Sequence, residues 1–197
     1  VGPINLTINK NETLFITGGN GSGKSTLMRV LTALYPPASG SILIDGKKLR
    51  PKDYQSYREL FATVFGDFHL SRYLDGVRVF DDELAEELIE KLELPEKVYI
   101  QDNAFSDVDL STGQRKRIAL VAAILEKRKV LILDEWAADQ DPLFRRKFYR
   151  EILPMLKNMG ITIIAITHDS RLFDASDNQL HLEEGREVNF DPDTFHD

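Results

Sequence analysis

Apolar positions in this chain fall into short runs separated by amphipathic stretches. Ile4-Asn5-Leu6-Thr7-Ile8 alternates with the period of a half-buried strand, and residues 13–17 read as a second strand. A glycine-rich turn over residues 18–23 follows, then a helix over 24–34 ended by Pro36-Pro37. Residues 41–44 predict a strand running into an Asp45-Gly46 hairpin turn, and 60–65 another apolar strand. Across 81–92, Leu84, Leu88 and Leu92 recur on one helical face, and acids crowd the first turn, where the helix dipole favours them. Residues 113–126 predict a second strong helix. The run 130–133 is a fully apolar strand, 161–167 reads as a further buried strand, and 179–182 reads as the last strand. Between those two runs Asp141 caps a helix with Pro142 at its first position, running to about residue 159 and stopped by Gly160.

Strands apolar on both faces and alternating with helices predict an α/β fold, with a mainly parallel sheet covered on both sides and a small antiparallel part near the N-terminus. The stretch from about 66 to 125 departs from that rhythm. It is mostly helical, so it is assigned to a helical lobe inserted between core segments of about 1–65 and 126–197, all within one domain.

Composition narrows the classes. The 197 residues are 42% hydrophobic and 29% charged, an ordinary globular balance. The formal net charge of −7 weighs against DNA or RNA as a partner, because phosphate contacts need clustered Lys and Arg. The absence of cysteine excludes disulfides, thiolate metal sites and Cys nucleophiles. No run approaches the roughly 18 apolar residues of a bilayer span. The chain opens on Val1 rather than Met and enters a strand at once, so it is read as a segment of a longer protein, in which any membrane-spanning part would lie outside these residues.

Gly18-Gly19-Asn20-Gly21-Ser22-Gly23-Lys24-Ser25, followed by Thr26, matches G-x-x-x-x-G-K-[ST] between a predicted strand and a predicted helix. Polyphosphate is gripped by amides pointing inward from a tight curve, which glycine tolerates, and by the positive end of a helix. Lys24 adds a full charge for the β- and γ-phosphates, and the Ser25 hydroxyl suits Mg²⁺, which prefers oxygen. This motif predicts a nucleoside triphosphate without saying which machine uses it. The strand 130–133 ends in Asp134-Glu135. A strand buried on both faces places Asp134 at the carboxyl edge of the sheet, suited to Mg²⁺, and points Glu135 elsewhere, suited to polarising an attacking water. Taken alone, Leu110-Ser111-Thr112-Gly113-Gln114 is a serine cap ahead of a helix, and His168 is a surface or capping histidine.

In order, however, the phosphate loop, Leu-Ser-x-Gly-Gln, the apolar strand with Asp-Glu and a lone His after a strand resemble the ATPase domains of ABC transporters over essentially the whole chain. The resemblance implies a P-loop NTPase core that binds ATP with Mg²⁺. It implies Ser111, Thr112, Gly113 and Gln114 as the segment that meets the γ-phosphate of a partner's ATP in a head-to-tail homodimer, although the usual motif has Gly where Thr112 stands. It implies His168 as the switch histidine beside a catalytic Glu135, and Ala138-Asp139-Gln140-Asp141 as a loop crossing the dimer interface. The run from Asp134 to Pro142, with Phe144-Arg145-Arg146, Phe148-Tyr149 and Phe65-Gly66-Asp67-Phe68-His69-Leu70, is similar to exporters of cyclic peptides and siderophores. In those a membrane domain precedes the ATPase on one polypeptide, at the cytoplasmic side of the bacterial inner membrane. Where the family carries a Gln that senses Mg²⁺, Gly66-Asp67 stands here, and Asp67 or a water takes that role. The family's adenine-stacking aromatic falls upstream of these residues, and the aromatic stretch 65–80 is expected either to face membrane helices or to be ordinary lobe core. An importer's ATPase subunit and a non-transport ABC ATPase are the alternatives. A chromosome-maintenance ATPase does not fit, since the roughly 85 residues between Ser25 and Leu110 hold no sustained heptads.

Overall fold

The structure, a computed structural model, describes residues 1–66, 70–77, 79–168 and 174–189. In chain order the strands are β1 (Thr13–Thr17), β2 (Leu43–Ile44), β3 (Lys47–Lys48), β4 (Phe61–Val64), β5 (Ile100–Gln101), β6 (Ala104–Phe105), β7 (Val130–Asp134), β8 (Thr162–Ile166), β9 (Asn178–Glu183) and β10 (Arg186–Val188). The helices are α1 (Lys24–Leu31), α2 (Tyr54–Arg58), α3 (Asp82–Lys91), α4 (Thr112–Leu125), α5 (Pro142–Lys147) and α6 (Leu153–Asn158).

A six-stranded sheet runs in the order β10-β9-β1-β8-β7-β4. Five strands are parallel, and only β10 is antiparallel to its neighbour. The strand sequences explain why both faces are covered. Alternate residues point to opposite faces, and they divide between two cores. Phe15, Leu131, Leu133, Ile163 and Ala165 join one cluster with Leu88, Leu120, Trp136 and Leu156. Leu14, Ile16, Ile132, Ile164 and Ile166 join the other with Leu27 and Met28 of α1. Strands apolar at every position therefore need helices on both sides, as the sequence pattern predicts.

The elements depart from expectation where hydrogen bonding, rather than burial, decides. Ile4, Leu6 and Ile8 do pack on the second core, but residues 4–8 join no ladder among the described residues. Alternation reports which face is buried, not whether a strand partner exists. The Asp45-Gly46 turn joins β2 to β3, with φ of 47° and 75°, giving the small antiparallel hairpin. The β5–β6 hairpin, β10 and α2 have no sequence signal, being too short to show a period. The helix expected from 142 to 159 is broken by a π-helical turn over Phe148–Ile152. Pro154 lacks the N–H that would close on residue 150 and its ring crowds that turn, and the wider turn absorbs the conflict.

Segment 66–125 contributes α3, α4 and the β5–β6 hairpin. The buried side of α4 (Ile118, Val121, Leu125) shares the first core with β4 and β7. No helix among the described residues is long and apolar enough to cross a membrane.

Candidate functional site

Because β1, β4, β7 and β8 run parallel, their carboxyl ends lie on one edge of the sheet. That topology collects the sequence motifs. The loop 18–23 leaves β1, Asp134-Glu135 end β7, His168 lies just beyond β8, and Gly66 follows β4. Gly66 sits against Asp134, so close that a Cβ there would come within 3.3 Å of its carbonyl oxygen.

The loop folds tightly. Gly18, Gly21 and Gly23 have φ of 135°, 77° and 101°, in the left-handed region that glycine alone adopts without strain. Ser22 N–H donates to the Gly19 carbonyl at 3.2 Å, and the Gly185 N–H donates to the Ser22 carbonyl at 3.0 Å. The β9–β10 turn thus props the loop from below. A Cβ on Gly18 would collide with the Leu182 carbonyl of β9 and lie 2.8 Å from Ser22 Oγ. Gly18→Ala is therefore expected to cost about 2 kcal/mol or more in urea unfolding, because backbone cannot move aside as a flexible side chain can.

Lys24 begins α1 and is buried, its ammonium donating to the Gly18 and Gly19 carbonyls at 2.7 and 2.9 Å. Burial lowers its pKa, and the charges of Glu135 and Asp134 oppose that shift. The acid pair and the lysine therefore share one electrostatic site. Ser25 and Thr26, in the first turn of α1, are exposed, as are Gly19, Asn20 and Gly21.

Glu135 has φ of 49°, a left-handed conformation that costs a non-glycine residue about 1–2 kcal/mol. It is held at three points. Its N–H donates to the Ile166 carbonyl at 3.0 Å, its carbonyl accepts from Lys116 Nζ at 3.1 Å, and its Oε1 lies 2.8 Å from His168 Nε2. The carboxylate and the imidazole are each a little over two-fifths exposed, so the pair faces solvent at the sheet edge.

Ser111 caps α4 and forms a reciprocal capping box with Gln114. The Gly113 carbonyl accepts from Gln140 Nε2 at 3.1 Å, and a Cβ on Gly113 would lie 2.8 Å from the Asp139 carbonyl. Ser111 and Thr112 are exposed. The segment 111–114 is thus tied to the loop after Glu135, with its hydroxyl-bearing end open to solvent. Asp67, the third metal ligand expected from the sequence, lies outside the described residues, as do Phe68 and His69.

Two contacts here had no sequence signal. Lys116 and Arg117 belong to Arg115-Lys116-Arg117, a run that reads as a solvated charged face, yet both are buried. Arg117 donates to Gln140, Asp141 and the Leu92 carbonyl while covering the Phe144 ring at 3.4 Å. Only the fold, by placing residues 92, 140 and 141 around that helix face, makes burial affordable.

The residues present fit a triphosphate with a magnesium ion. Ser22 Oγ is buried beneath the loop without a hydrogen-bond partner, and the Cβ directions of Gly19 and Gly21 meet open space above it. Ser25 and Asp134 offer hard oxygen donors. No group of three or more His, Cys, Asp or Glu that could hold a metal occurs among the described residues.

Comparison with known proteins agrees. Residues 1–138 match the ABC transporter family model. The chain is 46% identical over 189 residues to the ATP-binding protein SyrD of Pseudomonas syringae pv. syringae, covering 94% of this chain and 33% of SyrD. It is 34% identical over 199 residues to the energy-coupling factor transporter ATP-binding protein EcfA3 of Clostridium perfringens, covering 94% of this chain and 69% of that protein. Among solved structures it superposes on CbiO1 of Clostridium perfringens, part of an ABC transporter complex, with a TM-score of 0.76, 32% identity and coverage of 97% of this chain and 81% of that one. A dimeric ATP-binding cassette bound to ADP and phosphate matches with a TM-score of 0.76 and 25% identity, over 94% of this chain and 87% of that one. The chain belongs to the ABC transporter family and forms an ATP-binding ATPase domain of that family. It spans about one third of SyrD.

Proposed function

We propose that this chain is the ATPase domain of an ABC exporter that moves a cyclic peptide or siderophore outward, working as a head-to-tail pair at the cytoplasmic side of a bacterial inner membrane. The observation that carries the enzymatic part is the Glu135–His168 pair, 2.8 Å apart at the carboxyl edge of the sheet that also presents Lys24. The likeness to SyrD over 94% of this chain favours the exporter. The matches to EcfA3 and to the Spermidine/putrescine import ATP-binding protein PotA of Pasteurella multocida keep an importer ATPase as the second reading.

In this reading the loop amides and Lys24 hold the β- and γ-phosphates of ATP. Ser25 and Asp134, with Asp67 by the family resemblance, would hold a magnesium ion, which would supply positive charge against that of the phosphates. Glu135 orients the attacking water and accepts its proton, and His168 fixes the carboxylate. Ser111 and the amides at the start of α4 offer a second anion site, placed to take the terminal phosphate of a partner's ATP. Only ATP bridges two such surfaces, so ATP favours the closed pair and ADP does not. Moving a 1:99 equilibrium to 99:1 takes about 5.5 kcal/mol of differential binding. Residues 66–125, with Tyr73 and Val79 exposed and Phe65 exposed just before them, would pass that closure to membrane helices of the same polypeptide. Inverted membrane vesicles bearing the full-length protein are expected to accumulate a cyclic lipopeptide or siderophore on addition of ATP. Uptake in right-side-out vesicles alone would instead favour the importer.

A further inference from the structure

We propose that Lys116 is a positioning residue for the hydrolytic step, transmitting the placement of the 111–114 segment to the Glu135 carboxylate. This rests on Glu135 acting as the base, as proposed above.

Lys116 follows Ser111 by little more than one turn on α4, and its side chain is only 2% exposed. Its ammonium donates to the Glu135 carbonyl at 3.1 Å and pairs with Asp139 Oδ2 at 2.6 Å. The Lys116 carbonyl in turn accepts from the Trp136 indole at 2.8 Å. One residue of α4 therefore binds positions 135, 136 and 139 of the opposing loop. Glu135 is the position that needs such support, because its φ of 49° is a conformation that surrounding contacts must impose. If the carbonyl loses its donor, the peptide can relax toward the favoured region and carry the carboxylate off His168. A shift of α4, as when Ser111 engages a phosphate, reaches the same carbonyl through a single side chain. Among the described residues the side-chain partners of Lys116 are Glu135 and Asp139, not the phosphate loop or His168, so its effect is expected on turnover and not on nucleotide binding.

A purely structural role predicts something else. A lost packing or ion-pair contribution would lower the melting temperature and leave the turnover of the folded chain unchanged. Lys116→Met keeps the apolar stem and leaves its former partner Asp139 half-exposed and open to hydration, so the chain should still fold, at a lowered melting temperature, while Glu135 is misplaced. Measured on the purified full chain with magnesium and ATP, Lys116→Met is expected to lower kcat about tenfold or more, with KM and nucleotide affinity within about twofold. Lys116→Gln, which can still donate to the Glu135 carbonyl, is expected to restore most of the loss. Should Lys116→Met fail to fold, Asp139→Ala, at a half-exposed position, carries the test with an expected fall in kcat of about threefold at unchanged KM. Wild-type kcat in Lys116→Met, or no recovery in Lys116→Gln, overturns the inference alone. A parent chain without ATP turnover overturns the proposed function, and this inference with it.

Discussion

Lys24→Ala is expected to abolish measurable ATP binding by calorimetry while leaving the fold intact. The lysine is buried at the start of α1, and its donors fall on the carbonyls of Gly18 and Gly19, so it sits on the inner wall of the loop. There it competes with its own desolvation, which lowers its pKa, while the charges of Glu135 and Asp134 favour the ammonium. A bound triphosphate brings several negative charges to the same place. Charge-assisted hydrogen bonds contribute about 1.5–3 kcal/mol each, and Lys24 can make more than one with the β- and γ-oxygens. Losing about 3–4 kcal/mol weakens Kd by several hundredfold, which takes a micromolar site beyond calorimetric reach. Without nucleotide the parent lysine serves two loop carbonyls, that of Gly18 buried and that of Gly19 partly buried, so the loss should cost about 1–2 kcal/mol and leave the chain folded. Lys24→Arg should also fail, because a planar fork cannot occupy the place of a compact ammonium inside so tight a curve. Binding retained in Lys24→Ala at the affinity of the parent would show that the loop does not hold phosphate.

The contrast between legible and illegible features has a physical origin. The phosphate loop, the Asp134-Glu135 pair and His168 each lie within or directly beyond a strand of contiguous apolar residues, so local sequence carries both the chemistry and the element that aims it. Parallel strands then gather those ends on one edge without further instruction. What stayed hidden are contacts between segments far apart in the chain. Leu182 of β9 and Gly185 of the β9–β10 turn shape the loop, and Gly66 abuts Asp134 across the edge. Lys116 and Arg117 look like exposed charges in sequence because their partners, Glu135, Asp139, Gln140 and Asp141, come from beyond the next strand. The short β5–β6 hairpin and β10 failed for another reason, since two or three residues carry no period. Resemblance to the family supplied the role of Ser111, which local chemistry reads as a helix cap; the structure shows that cap, and its exposed hydroxyl leaves the second role open.

Glu135→Gln is expected to reduce kcat by about 10²–10⁴ while ATP affinity stays near that of the parent, as single-turnover and calorimetric measurements would show. The substitution is close to isosteric. Its amide oxygen can still meet His168 Nε2, and the backbone anchors to Ile166 and Lys116 do not involve the side chain. What disappears is the capacity to accept a proton from water. Binding and pairing should then outlive hydrolysis, so the variant should accumulate as a dimer with magnesium and ATP, but not with ADP, on size-exclusion chromatography. Adding Ser111→Asp in that background tests the composite site cleanly. Aspartate caps a helix as well as serine does, so α4 should remain formed, yet its charge repels the incoming phosphate. The double variant is therefore expected to bind ATP and stay monomeric. Were Glu135→Gln to turn over ATP at the parent rate, another group would have to be the base. Were it inactive but monomeric with ATP, the acid would keep its role and the shared site would lose its support. The two outcomes separate because Glu135 is proposed to act on water within one protomer, and Ser111 on the nucleotide of the other.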